Sequence, residues 1–423
     1  MTATHLSGAA TGTGDRSRPR AALPALCATQ ITSWGILYYA FPVLLPHITA
    51  DTGWSTPQAT AAFTAALLIS ALAGIPVGRI IDKHGPRTVM TTGSAVGAAA
   101  LALAAAAPSL PVFFAVWLLA GAAMAATFYH PAFAALTRWH QPHHVRALTT
   151  LTLAGGLAST VFAPITAALA GHLGWRTTYL VLAALLATVT IPAHLLALRH
   201  PWPPAGHPDA GRTTADSNNP VRTRPFRLLA ATFTLSGFAM YAVVFSTVAL
   251  LTGRGAGPSA AAWALGLGGL GQTLGRTLYA SVARRAGVAQ RTVALVAAGA
   301  ATTALLAAVP GPVPLLVTLV VLAGTVRGNL TLLQATAVTD RWGTAAYGRL
   351  SGLLAAPATI AGAVAPWAAA SLAPALGGYP GLFAVLAAIA GVAAVIAVWT
   401  VPVRPEAPVR TAAHDAERSH DGR

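Results

Sequence analysis

Two arginines, Arg276 and Arg327, stand in stretches otherwise built from Gly, Ala, Val, Leu and Thr. A guanidinium stays charged and offers a planar fork of donors that matches a carboxylate. The ten acids of the chain are Asp15, Asp51, Asp82, Asp209, Asp216, Asp340, Glu406, Asp415, Glu417 and Asp421, and none lies deep in an apolar stretch. No internal carboxylate is therefore available to neutralise either arginine, and an uncompensated charge in hydrocarbon is a functional position by default. Arg327 lies about 15 Å along its helix from the nearer end, too far to reach water. Two roles stay open for it: the cationic anchor of an anionic substrate, or a structural arginine bonded to backbone carbonyls and to Asn329 or Gln334. Arg276 lies eight residues before Arg284, and Gln272 precedes it by one turn on the same helix face.

Other chemistry-bearing residues are few. His130, between Tyr129 and Pro131, titrates in a range that suits a coupled proton, or else sits neutral and hydrogen-bonded to a neighbouring helix. Gln30, Ser33, Trp34 and Tyr38 cluster in the first apolar stretch, and Ser236 and Tyr241 in the seventh. These line a gate, pack between helices, or touch substrate. His140, His143 and His144 form a loop cluster that reads as solvated. No His/Cys/Asp/Glu group has metal-ligand spacing, no phosphate-binding loop is present, and no nucleophile–base pair is visible. Neither an enzyme nor a cofactor is expected. Cys27 is the single cysteine, so no intrachain disulfide can form.

The elements that position these groups follow from composition. Of 423 residues, 55% are hydrophobic and 9% charged, with a mean hydropathy of +0.64. A soluble domain carries about 25% charged residues, so a water-facing enzyme, a DNA-binding protein and a disordered scaffold are excluded together. A crossing of about 30 Å of hydrocarbon needs about 20 apolar residues. Twelve such spans are predicted near 22–47, 57–80, 88–108, 111–137, 147–170, 177–198, 227–251, 259–282, 291–309, 313–337, 349–373 and 379–402. The net charge of +16 comes from 26 basic residues. Arg176 and Arg254 fall on one side of the predicted topology, Arg276 and Arg327 inside spans, and the other 22 on the side of both tails and the central linker. Positive charge marks the cytoplasmic side, so both termini are expected there. The halves also repeat at an offset of 203 residues: Ser33 and Tyr38 return as Ser236 and Tyr241, Pro111 as Pro314, Arg138-Trp139 as Arg341-Trp342, Arg146 as Arg349 and Gly174 as Gly377. Paired six-helix repeats around a midplane site are a transporter architecture.

Between spans two and three runs Gly78-Arg79-Ile80-Ile81-Asp82-Lys83-His84-Gly85-Pro86-Arg87. One carboxylate among three bases, near helix ends, can bond orphan amides and bias which helices pack together. This stretch resembles the loop motif of the major facilitator superfamily. Gly78, Asp82, Lys83, Gly85 and Arg87 match it, and Thr88 departs from its last basic position. The resemblance extends over about residues 21–402 and implies that the motif is a conformational latch favouring the outward-facing state. The corresponding loop of the second half, Arg284-Arg285-Ala286-Gly287, has no acid. A narrower likeness is to monocarboxylate carriers and oxalate/formate antiporters, whose helix-eight arginine binds the anion within a Gly-Arg pair like Gly275-Arg276. The animal carriers place an acid where this chain has Gln272, which removes that basis for proton coupling. Ser33-Trp34-Gly35, Arg146-Ala147-Leu148 and Ala154-Gly155-Gly156 are similar to further signatures of the same group.

The expected fold is all-α and integral to the membrane, with twelve transmembrane helices as two six-helix halves around a central cavity. Its divisions are a disordered tail (1–21), a first half (22–198), a cytoplasmic linker (199–226), a second half (227–402) and a disordered tail (403–423). The expected activity is alternating-access transport of a small organic anion such as a monocarboxylate, by a monomer of the cytoplasmic membrane that binds no nucleic acid. Its predicted substrate-binding residues are Arg276, Arg327, Gln272, Asn329, Trp34, Tyr38, Tyr241 and His130. Export of a drug-like compound or secreted metabolite is the alternative. A non-transporting receptor on the same fold is a third class.

Overall fold

A computed structural model describes residues 20–140, 144–202, 220–343 and 347–401, and the backbone alone of 144, 145 and 347–349. The two tails, most of the linker, His143, and the side chains of His144 and Arg349 lie outside the described residues.

Twelve long helices follow in order. The first half holds α1 (Ala22–Thr52), α2 (Thr56–His84), α3 (Pro86–Ala106), α4 (Leu110–Trp139), α5 (144–173) and α6 (175–197). The second holds α7 (Arg224–Gly253), α8 (Pro258–Arg285), α9 (Val288–Ala308), α10 (Val313–Thr336), α11 (Tyr347–Leu372) and α12 (Tyr379–Ala397). Several run past the apolar spans, as α1 does to Thr52 and α2 to His84, while α12 stops five residues short of its span at Ala397. Ser55 and Gln58 cap each other's backbone amides at the start of α2. Proline opens α3 and α8, where its missing N–H has no partner to lose. One residue, Gly174 at φ 70°, turns α5 into α6, and a side chain there would be strained.

Irregular turns shape the first half. The Gly35–Tyr39 segment of α1 is a π-helical turn. A β-carbon on Gly35 would lie 2.2 Å from the Phe162 ring of α5. α4 breaks at Phe128 (φ −75°, ψ −160°). Gln30 Nε2 donates to the carbonyls of Thr127 at 2.7 Å and Phe128 at 3.3 Å, supplying partners that the interrupted helix does not.

Glycine governs the second half. α8 is less apolar than its neighbours because Gly268, Gly271 and Gly275 face α10, whose Gly324 and Gly328 face back. β-carbons on Gly275 and Gly328 would lie 1.9 Å from Thr325 O and 2.0 Å from Gln272 O. With lipid tails as apolar as leucine, such close packing is what holds transmembrane helices together.

The halves meet through α1–α7, α2–α11 and α5–α8. On the face away from the termini, Phe41, Phe63 and Phe245 stack at 4.5–6.1 Å between ring centroids. There too the Trp367 amide donates to Thr64 Oγ1 at 3.2 Å. Toward the terminal face, Leu72, Ile75, Leu353 and Ile360 of α2 and α11 are exposed. The lone arginines of the far face are structural. Arg254 donates to the Leu306 and Ala307 carbonyls at the end of α9, and Arg176 to those of Ala105 and Ala107 at the end of α3.

Gly328→Val should unfold or strongly destabilise the protein, by about 3 kcal/mol or more, because its β-carbon has no room. Gly171→Ala, whose β-carbon meets nothing within 4 Å, should leave the midpoint unchanged. Thermal unfolding of both purified variants checks this, and equal midpoints would refute the seam.

Candidate functional site

The α8–α10 seam sets two guanidinium groups at the junction of the halves. Arg327 Nη2 donates to Gln272 Oε1 at 2.7 Å. Arg276, one turn further along α8, donates Nη1 across the junction to the Thr152 carbonyl of α5. Thr273 Oγ1 follows it to the Leu153 carbonyl at 3.4 Å. A β-carbon on Gly156 would lie 3.1 Å from Arg276 Nη1, so that glycine makes room for the crossing. Gln272, Arg276, Arg327 and Asn329 are all buried. Gln272, one turn before Arg276 on α8, holds Arg327, so the two arginines are neighbours through it.

Aromatic rings form the opposite wall. Trp34 stacks on Phe128 at 4.0 Å and lies 5.5 Å from Tyr38 and 5.3 Å from Tyr129, centroid to centroid. Tyr39, 5.1 Å from Tyr38, and Tyr241 pack against the cores of both halves. Among the described residues, the buried donors without partners include Arg276 Nε, Arg327 Nε, Trp34 Nε1 and Tyr38 OH. Among the described residues the ion pairs are Arg138–Asp82, Arg176–Asp51 and Arg291–Asp340, so no carboxylate serves Arg276 or Arg327.

Of the predicted residues the structure brings Gln272 against Arg327 and Trp34 against Tyr38, sets Arg276 one turn beyond Gln272, and packs Tyr241 against both cores. Asn329 does not bond Arg327: its Nδ2 donates to Thr325 O at 3.0 Å, and Gln272 takes the arginine instead. His130 is exposed, one residue beyond Tyr129, and is not among the hydrogen-bonded side chains. Gln30 serves the α4 break. Sequence reasoning passed over Tyr39, Tyr129 and Thr152. The Tyr38-Tyr39 tandem and the position of Tyr129 beside His130 were available signals. Thr152 contributes only a carbonyl, which no side-chain pattern announces.

The α2–α3 loop is clamped from two directions. Asp82 pairs with Arg138 at 2.5 Å, and Trp202 Nε1 donates to the Asp82 carbonyl at 3.2 Å. The Arg138 guanidinium lies 4.5 Å over the Trp202 ring, and Gly85 (φ 79°) leaves room beneath it. Arg87 donates to Leu195 O at 2.9 Å. Gly78 is half-buried and Lys83 is exposed. The second half answers with the charges exchanged: the base, Arg291, is on α9 and the acid, Asp340, follows α10. Arg341 bonds Thr292 and Thr400. Burial draws the Arg341 guanidinium down to about 10, partly offset by the Asp340 carboxylate.

The side chains of Asp82 and Arg138 are 59% and 23% exposed, those of Asp340 and Arg291 23% and 8%. Asp82→Asn should therefore cost at most about 1 kcal/mol. Asp340→Asn strands a buried guanidinium and should cost about 3 kcal/mol or more. Denaturation of the two variants side by side tests the order, and the reverse order refutes it.

The long helices of the described residues, in two halves, give a multi-pass membrane protein with the architecture of alternating-access transporters. The chain matches the Major Facilitator Superfamily over residues 26–328 and 228–420 and belongs to it; members of this superfamily are carriers, not enzymes. Monocarboxylate transporter 13 of Bos taurus is 29% identical over 259 residues, covering 60% of this chain and 57% of that protein. The uncharacterized MFS-type transporter YcxA of Bacillus subtilis (strain 168) is 29% identical over 126 residues, 30% of this chain and 31% of that protein. The chain thus spans less than two thirds of the curated relatives it matches. A bacterial homologue of the human lysosomal transporter Spinster, inward-facing and occupied, superposes with a TM-score of 0.73 at 14% identity, over 92% of this chain and 97% of that one. The nucleoside transporter NupG gives 0.69 at 15% identity, over 90% and 100%. At such identities the likeness is one of fold.

Proposed function

We propose that this transporter carries a small organic anion, a monocarboxylate in the first instance, bound between Arg276 and Arg327. The observation that carries this is two buried guanidinium groups at one centre with no carboxylate to pair with either. The Bos taurus relative, a monocarboxylate transporter by name, supports the same class. Trp34, Tyr38 and Tyr241 close over the solute, and Gln272 orients Arg327. Asn329 completes the polar floor beside them. Arg276 spans the junction to the Thr152 carbonyl, so an anion that takes over this arginine releases a contact between the halves. Binding and rocking are thereby linked.

The halves 22–198 and 227–402 move as units joined by the linker 199–226, with both termini in the cytoplasm. The chain works as a monomer in the cytoplasmic membrane. Asp82, Lys83 and Arg87, set by Gly78 and Gly85, act as the latch of one state. The stacked phenylalanines close the outer face. With no acid at the centre, coupling is by anion exchange, by facilitated diffusion, or by a proton carried on His130 or on the substrate.

Small carboxylates should raise the thermal midpoint of the purified protein. Saturation at a hundred times Kd corresponds to about 2.7 kcal/mol. The shift should vanish in Arg276→Gln and in Arg327→Gln. Stabilisation that persists in both variants, or that only bulky lipophilic drugs produce, would overturn the proposal.

A further inference from the structure

Beside Arg327, a chamber of about 60 Å³ lies wholly within the second half. α7, α8, α9, α10 and α12 line it and leave it partly open, and neither Arg276 nor the α1 aromatics line it. Its polar wall is Ser236, Thr247, Thr302, Thr303 and the Arg327 side chain, and the remainder is apolar.

The four hydroxyls now donate one turn back along their own helices, at 2.7–2.9 Å, to the carbonyls of Thr232, Val243, Ala298 and Gly299. Those carbonyls also accept ordinary helix N–H bonds, so a hydroxyl that turns inward orphans nothing. The chamber can therefore present hydroxyl donors alongside a guanidinium that is only partly committed to Gln272. Its size corresponds to about four waters. The arginine excludes a cation. A doubly charged oxyanion would exceed the single positive charge, and a carboxylate of several carbons would not fit.

We propose that this chamber is a second binding site, for a compact monovalent inorganic anion of chloride size, held by Arg327 with the hydroxyls of Ser236, Thr302 and Thr303. It rests on the charge of Arg327 and not on which solute is carried. An anion there offsets the charge that no carboxylate neutralises. It also lowers the positive potential that Arg327 shows the central site, weakening carboxylate binding on the order of tenfold. By linkage the carboxylate weakens chloride equally.

Chloride NMR linewidth, titrated with the purified full chain, tests the site. Wild type should give excess broadening that bromide reverses. Thr302→Val/Thr303→Val should weaken that binding by about tenfold, while Arg276→Gln should retain it. Ser236→Ala, a smaller change, should also weaken it, so misfolding of the double variant leaves the test intact. No excess broadening in wild type, undiminished broadening in the hydroxyl variants, or loss in Arg276→Gln would each overturn the proposal, the last by placing chloride at the central site. Chloride binding without any carboxylate stabilisation would sink the transport proposal and leave the chamber standing.

Discussion

The contact on which the rest depends is the close approach of α8 and α10. Glycines on both helices bring backbone against backbone, and in lipid no hydrophobic force would hold the pair without that packing. The same approach fixes the register of the polar residues interleaved with the glycines. Gln272 therefore meets Arg327, and Arg276 is turned toward α5. A guanidinium inside a membrane protein is tolerated only with its donors engaged or its charge offset. Here the engagement is partial: an amide oxygen for Arg327, and for Arg276 the Thr152 carbonyl and the Tyr129 hydroxyl, with Nε of both arginines unpaired.

The two halves share a plan but not a division of labour. The first contributes rings, Trp34, Phe128, Tyr129 and the Tyr38-Tyr39 pair, gathered by a π turn in α1 and a break in α4. The second contributes charge. The same asymmetry appears at the terminal face, where Asp82–Arg138 and Arg291–Asp340 perform similar bridging with acid and base exchanged. The absence of an acid in the loop after α8 is thus real at that position. It is made good after α10, where a base on α9 finds it. Repetition preserved the helices and let the polar contacts diverge.

Much of the architecture was legible in the residues. Span number, the half-repeat, the placement of basic residues and the anomaly of Arg276 and Arg327 all follow from local composition. Whether a stretch partitions into lipid, and whether a charge belongs there, depends on residue type within about one helix length. The Gly-rich stretch at α8 was readable as a span for the same reason, though its apolar signal is diluted by the very glycines that pack it. Membership in the superfamily was legible through Gly78, Asp82, Lys83, Gly85 and Arg87.

What the tertiary structure alone decided is which groups meet. Asn329 is two residues from Arg327 in sequence, yet Gln272 of another helix takes the guanidinium, because the seam sets that register and local spacing cannot. Thr152 matters through its carbonyl, Tyr39 and Tyr129 through the irregular turns that aim them, and Asp340 through a base on a different helix. Periodicity fixes the face of a helix on which a residue lies. The rotation and depth of one helix against the next come from glycine contacts, breaks and caps distributed over the whole bundle, and these give the site its partners.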